Sequence, residues 1–133
     1  MRGDGTRGTE AWMIDHAAVN VRDIDAAKRF YSQALEPLGI SMALDMDDFA
    51  GFASEKGFHF GIFRREPAGG AHVAFACENR GKVDAFYEAA IAAGGKDNGS
   101  PGLRPHYHEN YYGAYVRDAD GNNIEAVCQT PRS

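Results

Sequence analysis

The order of predicted elements repeats once along the chain, and this repeat is the strongest constraint on the fold. Alternating apolar residues predict a first strand over 14–21, and an apolar stripe at helical spacing predicts a helix that begins at Asp23. Three short strands follow, and a Gly-rich linker over 67–70 separates them from the second half. There the predicted order is a strand over 71–77, a helix over 82–93, an irregular segment over 97–105 and a tyrosine-rich hairpin. The sequence therefore predicts two βαβββ modules.

Two such modules predict an α+β fold in which two curved sheets carry their helices on the outside. We expect residues 1–12 to be a disordered leader, because they are rich in Gly, Arg and Thr without periodicity. Residues 13–130 then form a single domain, with the first module at about 13–66 and the second at about 70–130. The sheet faces turned away from the helices would form a shared concave surface.

Composition excludes several classes of function. The chain of 133 residues has a formal net charge of −5, and its basic residues are scattered, so it has no electrostatic footprint for nucleic acid. No apolar run is long enough to span a membrane, and the N-terminus has no signal-peptide pattern, so we expect a cytoplasmic protein. The two cysteines, Cys77 and Cys128, lie in apolar strand-like segments and are interpreted as small buried hydrophobic residues.

The last strand carries one acid on a face of its own. In this strand Ile124, Ala126 and Cys128 alternate with the neighbours that include Glu125, so Glu125 points away from the apolar side. A turn at Asp118-Ala-Asp-Gly121 precedes the strand, since aspartate can bond its own backbone and glycine accepts positive φ.

Two histidines take equivalent places in the two halves. His16 and His72 each lie at the start of the first strand of their module, on the less apolar face. The residues beside them on that face, Ala18, Ala74 and Ala76, are small, which predicts an open cavity. Two imidazoles and the Glu125 carboxylate form a set suited to Fe, Mn, Zn or Ni. A polar cavity that binds an organic ligand directly, without metal, is the alternative interpretation.

Residues 13–129 resemble the vicinal oxygen chelate (VOC) superfamily, which includes glyoxalase I, extradiol dioxygenases, fosfomycin-resistance enzymes and bleomycin-binding proteins. The resemblance is carried by Ile14-Asp-His16, Phe30-Tyr31, His72-Val-Ala-Phe75 and the segment from Asp118 to Glu125. Residues 97–108 with Tyr111-Tyr112 resemble a small single-domain branch described as glyoxalase, bleomycin resistance protein or dioxygenase. The resemblance implies an open-barrel fold, a homodimer, a small-molecule substrate and a divalent metal held by His16, His72 and Glu125.

One departure from the glyoxalase I pattern bears on the reaction. The repeat places Gly61 opposite Glu125, where glyoxalase I would have a fourth acidic ligand that moves a proton. The three-ligand pattern that remains resembles extradiol dioxygenases and fosfomycin-resistance enzymes. The chain matches the extradiol signature in part. Ala114 and Ala119 differ from it, and the residues that agree with it are His108, Tyr115, Asp118, Gly121 and Glu125.

The tyrosine-rich segment supplies the remaining candidate site residues. His108 and Tyr115 are candidates for proton transfer, and Tyr107 and Tyr112 for hydroxyl contacts to a bound oxyanion. Arg104 is a candidate to pair with an anionic substrate. Two functions stay open at this point: a metal-dependent lyase or dioxygenase acting on a substrate with two adjacent oxygens, and a metal-free binding or resistance protein.

Overall fold

Two four-stranded sheets, each covered by one helix, make up the computed structural model, which describes residues 14–131. The first module comprises β1 (Ala17–Val21), α1 (Ile24–Ala34), a 3-10 helix (Glu36–Leu38), β2 (Ser41–Asp45), β3 (Phe49–Ser54) and β4 (Gly57–Arg64). The second comprises β5 (His72–Ala76), α2 (Arg80–Ala92), β6 (Lys96–Leu103), β7 (Tyr112–Arg117) and β8 (Asn123–Cys128). The predicted fold class is confirmed. The predicted leader, 1–12, lies outside the described residues.

The two sheets have the same topology. Their strand orders are β1-β4-β3-β2 and β5-β8-β7-β6. In each sheet the first strand of the module runs parallel to the last, and the other pairs are antiparallel. The register is also the same, because Ala18 pairs with Gly61 and Ala74 pairs with Glu125. Gly61 and Glu125 are therefore structurally equivalent, and so are His16 and His72, two residues before each alanine.

Both helices begin at a side-chain cap. The carboxylate of Asp23 accepts a hydrogen bond from the amide of Ala26 at 3.0 Å, and the side chain of Asn79 accepts one from Lys82 at 2.9 Å. These caps satisfy amides that have no partner within the helix. The apolar stripes of both helices face the sheets, so the core lies between the helices and one face of each sheet.

The modules meet at a buried polar junction. Tyr31 of α1 donates its hydroxyl hydrogen to Asp118 at 2.5 Å, and Asn122 donates to the same carboxylate oxygen at 2.9 Å. Asp118 belongs to the turn between β7 and β8, and it is only 5% exposed. Beside the junction, the rings of Phe60 and Phe75 lie 5.4 Å apart and join the two apolar cores.

Three predicted boundaries need correction. The predicted irregular segment over 97–105 is largely the strand β6, which has register shifts around its glycines. The strand predicted to begin near His106 begins at Tyr112 instead. Residues 104–111 form a turn, closed by a bond from the Arg104 amide to the Tyr111 carbonyl at 2.7 Å. Pro105 has no amide hydrogen for a sheet, so the alternation of tyrosines there was misleading. β1 begins at Ala17, so His16 precedes it.

No helix between residues 14 and 131 is long and apolar enough to cross a membrane.

Candidate functional site

The centre of the candidate site is a buried carboxylate paired with an accessible imidazole. Glu125 lies in β8 between Ala74 of β5 and Tyr115 of β7, and it is 2% exposed. Its Oε1 atom lies 2.8 Å from Nε2 of His72, the first residue of β5. The His72 side chain is 55% exposed, so the pair connects the buried acid to the open face of the sheet. Burial of a carboxylate is costly without hydrogen-bond partners, which makes its second oxygen informative.

The second oxygen, Oε2, accepts a hydrogen bond from the hydroxyl of Tyr111. Tyr111 comes from the turn that precedes β7, and its ring lies against Gly113, where an added Cβ would be 3.3 Å from the ring. Burial, followed by the interaction with Glu125, raises the pKa of Tyr111 well above its ordinary value. Its phenol is therefore a hydrogen-bond donor at neutral pH. Tyr111 belongs to the tyrosine-rich segment that was expected to line the site, but its hydrogen bond to Glu125 was not predicted, because only the path of the turn brings it onto the acid.

Tyr115 and Arg104 extend the polar surface next to Glu125. The Tyr115 ring lies 6.4 Å from that of His72, and the guanidinium of Arg104 lies 5.3 Å from the Tyr115 ring centre. Burial and then the charge of Glu125 raise the pKa of Tyr115. Arg104 donates two 2.8 Å hydrogen bonds to backbone carbonyls, of Ser100 and Gly102, which hold its planar group over the ring. The structure thus places Tyr115 beside the acid and Arg104 on the Tyr115 ring.

The remaining predicted residues of the turn lie further out. Tyr107 is 62% exposed and packs edge-on against Tyr111 at 5.1 Å. His108 is exposed, and its Nδ1 atom accepts a hydrogen bond from the amide of Asn110 at 3.1 Å. Tyr107 therefore reaches the site through Tyr111, whereas His108 contacts its own turn.

Tyr112 faces the helix instead of the concave surface. Its hydroxyl donates to Asp84 of α2 at 2.7 Å, and the guanidinium of Arg80 lies 5.2 Å from its ring centre. Because side chains alternate along a strand, Tyr112 and Tyr115 point to opposite faces of β7. The structure separates Tyr112 from the pair formed by His72 and Glu125.

His16 is placed apart from the other two predicted metal ligands. Its Nδ1 atom lies 2.8 Å from a carboxylate oxygen of Asp15, and its ring contacts Phe58 at 5.2 Å. Across residues 14–131, no group of three or more His, Cys, Asp and Glu side chains is arranged to hold a metal ion. One chain therefore joins His72 to Glu125 but does not add His16.

Comparison with known proteins decides the family. Residues 13–126 match the model of the glyoxalase/bleomycin resistance protein/dioxygenase superfamily. The chain belongs to this superfamily. A glyoxalase/bleomycin resistance protein from Albidiferax ferrireducens is 34% identical and has a TM-score of 0.77, with 90% of this chain and 100% of the other covered. No curated protein sequence matches significantly.

More distant VOC structures share the fold alone. Lactoylglutathione lyase from Agrobacterium tumefaciens is 20% identical with a TM-score of 0.65, over 90% of this chain and 96% of the other. The fosfomycin resistance protein FosX from Mesorhizobium loti is 16% identical with a TM-score of 0.65, over 91% and 95%.

The concave faces of this VOC protein are open surfaces. Ala18, Ala74 and Ala76, predicted to line a cavity, are exposed to solvent. Two surface cavities, of about 480 and 360 Å³, lie instead beside the helices, and Glu125 lines neither of them. The larger is lined by residues of α1 and β2, and the smaller surrounds the junction of Tyr31 and Asp118. The side chains that converge on Glu125, and not these two cavities, form the candidate site, because a buried acid beside an accessible histidine can bind a ligand or transfer a proton.

The donor set fits a divalent metal only when a third ligand is supplied. An imidazole nitrogen and a carboxylate oxygen, 2.8 Å apart at the edge of the open face, are donors of the types that Fe, Mn, Zn and Ni accept. Glu125 is held in place by Tyr111, an arrangement typical of the outer partners of metal ligands. The residues of one chain would supply two of the three predicted ligands, and His16 is the equivalent residue of the other module.

Proposed function

We propose that this protein is a divalent-metal-dependent VOC enzyme whose site is assembled between two subunits. The observation that carries the proposal is the approach of His72 Nε2 to the buried Glu125 Oε1 at 2.8 Å, next to an open sheet face. His72 and Glu125 of one protomer, with His16 of the partner subunit, complete the predicted set of two imidazoles and one carboxylate. The ion itself would be Fe, Mn, Zn or Ni.

A homodimer is supported by the surfaces that a single chain leaves open. His16 is about half exposed and lies immediately before β1, an edge strand, and His72 lies at the start of β5, the equivalent edge strand of the other sheet. Exposed apolar side chains occur at Ile14, Leu44 and Met46 of the first module and at Leu103 and Tyr107 of the second. A second copy would cover apolar surface and bring unlike modules face to face.

The proposed substrate is a small molecule with two adjacent oxygens. A bound divalent ion would supply Lewis-acid stabilisation of negative charge on those oxygens. The protonated phenol of Tyr115 lies beside the acid and can donate a hydrogen bond to an oxyanion, while Tyr111 donates its hydroxyl hydrogen to Glu125 and keeps the acid in place. Arg104, next to Tyr115, adds positive charge for an anionic substrate, and His108, in the same turn as Tyr111, is the proposed proton carrier.

The equivalence of Gly61 and Glu125 limits the reaction. The first module offers no carboxylate at this position, so a proton transfer that uses a fourth acidic ligand has no base there. This favours ring cleavage of a catechol-like compound, or nucleophilic addition, over the glyoxalase isomerisation.

A metal-free binding or resistance protein is the second candidate. It is favoured by the state of Glu125, both of whose oxygens already have partners within the chain, His72 and Tyr111. In this case the acid, the phenols and Arg104 would bind an organic ligand directly.

Metal content tests the first proposal against the second. Purified wild-type protein, Glu125→Gln and Tyr112→Phe are each loaded with Zn²⁺ or Mn²⁺, dialysed and analysed for metal. We expect near-stoichiometric metal in the wild type and in the Tyr112→Phe control. For Glu125→Gln we expect an affinity for the metal that is at least about tenfold lower. Metal retained in Glu125→Gln, or in His16→Ala, contradicts the ligand assignment. If the wild type binds neither metal, the metal-free binding or resistance protein becomes the supported function.

A further inference from the structure

A row of small residues crosses the first sheet on the face away from its helix. Sheet pairing aligns Ala18 with Gly61 and Gly61 with Gly51, so the small residues lie on three adjacent strands, and Leu44, paired with Gly51, ends the row on the fourth. Two adjacent glycines at its centre leave the backbone uncovered by side chains of their own.

The same row in the second sheet is polar. It runs from Ala74 to Glu125, then to Tyr115 and Gly99. The pair formed by Gly61 and Gly51 is thus the structural counterpart of the pair formed by Glu125 and Tyr115. The two modules have the same backbone pairing at this place, but the first has glycines there and the second has polar side chains.

Phenylalanine rings cover the two glycines. A Cβ added to Gly51 would lie 2.6 Å from the ring of Phe58, and one added to Gly61 would lie 3.0 Å from the ring of Phe49. Any larger residue at Gly51 would force the Phe58 ring to move, because real Cβ atoms do not approach other atoms so closely. The glycines let both rings lie across the sheet. We name Gly51, Gly61, Phe49 and Phe58 the aromatic floor.

The aromatic floor is apolar and partly open to solvent. Phe49 and Phe58 are each half-buried, and Leu44 at the end of the row is 50% exposed. Phe49 also contacts Phe63 at a ring separation of 4.6 Å, and Phe58 contacts His16 at 5.2 Å. The contact with His16 places the floor directly beside the third proposed metal ligand.

We infer that the aromatic floor binds a planar apolar group, such as an aryl ring, of the substrate whose adjacent oxygens are held at His72 and Glu125 of the facing subunit. This inference rests on the proposed function for the oxygen end of the substrate. Aryl groups stack favourably on aromatic rings at about 4.5–7 Å, and the glycines let the rings of Phe49 and Phe58 lie over the sheet, where an aryl group can reach them. One wall of the site thus selects the apolar body of the ligand, and the opposite wall selects its oxygens.

Mandelate and lactate test the inference, because both carry a hydroxyl next to a carboxylate and differ only in phenyl against methyl. Binding to the Zn²⁺-loaded wild type is measured by calorimetry, and mandelate is expected to bind at least about tenfold more tightly. Phe49→Leu and Phe58→Leu should each lower the affinity for mandelate by a much larger factor than the affinity for lactate, and so remove most of this preference. Ile91→Ala is the control, because Ile91 is an exposed apolar residue of α2 outside the floor, and this variant should change neither affinity.

Fluorobenzene provides a second test that needs no oxygen contact. Fluorine NMR should show saturable binding to the wild type, to Ile91→Ala and to Glu125→Gln, and weakened binding to Phe49→Leu and Phe58→Leu. Absence of this pattern overturns the aromatic floor, as does equal affinity for mandelate and lactate where both bind. If neither acid binds, the fluorobenzene result decides alone.

The two proposals fail in different ways. Glu125→Gln should weaken mandelate and lactate by the same factor, because it acts on the shared oxygens. If Glu125→Gln leaves the affinity for lactate unchanged, the metal site is contradicted. The aromatic floor is still supported in that case if the protein prefers mandelate to lactate and Phe58→Leu removes the preference.

Discussion

Glu125 is nearly free of solvent contact, yet each of its two oxygens has a hydrogen-bonding partner. One partner, His72, comes from the neighbouring strand, and the other, Tyr111, comes from a turn. A buried acid with two such partners keeps a defined orientation, and loss of either leaves an oxygen without a donor. At the scale of single residues, Tyr111 is therefore the side chain that positions the acid.

Replacement of Tyr111 by phenylalanine tests this positioning role. The change removes the hydrogen bond to Glu125 and keeps the ring, so Zn²⁺ affinity should fall by about 10- to 100-fold. Competition with a fluorescent chelator measures the affinity. Tyr112→Phe is the matched control, because that hydroxyl bonds Asp84 on the helix face. Equal affinity in the wild type and Tyr111→Phe would show that the tyrosine does not orient the acid.

At the scale of elements, α1 is joined to the turn between β7 and β8 by one buried hydrogen bond. Tyr31 is fully buried and donates to Asp118, whose other oxygen accepts from the amides of Asp120 and Asn122 at 2.9 Å each. Burial, and then the charge of Asp118, raise the pKa of Tyr31 well above its ordinary value. The bond ties a helix of the first module to the hairpin that carries Glu125.

Tyr31→Phe should lower the free energy of unfolding by about 1–3 kcal/mol at pH 7, because Asp118 loses a buried donor. The pH dependence has a definite sign. The folded state holds the phenol proton more tightly than the unfolded state, so stability falls as pH rises above about 10, the unfolded pKa. The Tyr31→Phe protein has no phenol at this position and does not lose stability in this way. The difference in free energy of unfolding between the wild type and Tyr31→Phe should therefore become smaller as the pH rises above about 10.

Urea unfolding at pH 7 and at alkaline pH measures both effects. Tyr87→Phe is the control, because the Tyr87 hydroxyl bonds Asp97 at the surface, at 3.0 Å. The role of the junction would be disproved by a Tyr31→Phe protein as stable as the control at pH 7.

The two modules have the same backbone arrangement but present chemically different faces. The pseudo-repeat gives each sheet the same register, but Gly61 and Gly51 stand in one where Glu125 and Tyr115 stand in the other. Within the described chain, His16 contacts Phe58 and His72 contacts Glu125. A site that uses both histidines therefore needs the first module of one subunit opposite the second module of another.

Subunit mixing tests this arrangement. His16→Ala and Glu125→Gln should each lose the metal site when alone. Co-refolded in equal amounts, they should regain about a quarter of the wild-type sites, because half of the dimers are mixed and each mixed dimer has one intact site. Metal analysis of the refolded dimer counts the sites. His16→Ala refolded with His16→Ala is the control, and no recovery in the mixture would place the site within one chain.

Much of this arrangement could be predicted from the sequence alone. The repeat of strand and helix patterns predicted the fold, and the two-residue period of β8 predicted that Glu125 faces away from Ile124 and Ala126. The equivalence of His16 with His72, and of Gly61 with Glu125, followed from the same repeat and agrees with the sheet register. These features depend on local periodicity, which the chain carries in its residue order.

Other features were decided only by the tertiary structure. The hydrogen bond from Tyr111 to Glu125 depends on the turn that the Arg104 amide closes. Periodicity in the sequence does not reveal this turn. The Phe58 ring over Gly51 depends on which strands pair and in which register. His72 meets Glu125 because β5 pairs with β8 in one sheet, whereas the separation of His16 from both depends on how the modules pack. Sequence patterns fix the face on which a residue lies, whereas contacts between distant segments arise only when sheets pair and modules dock.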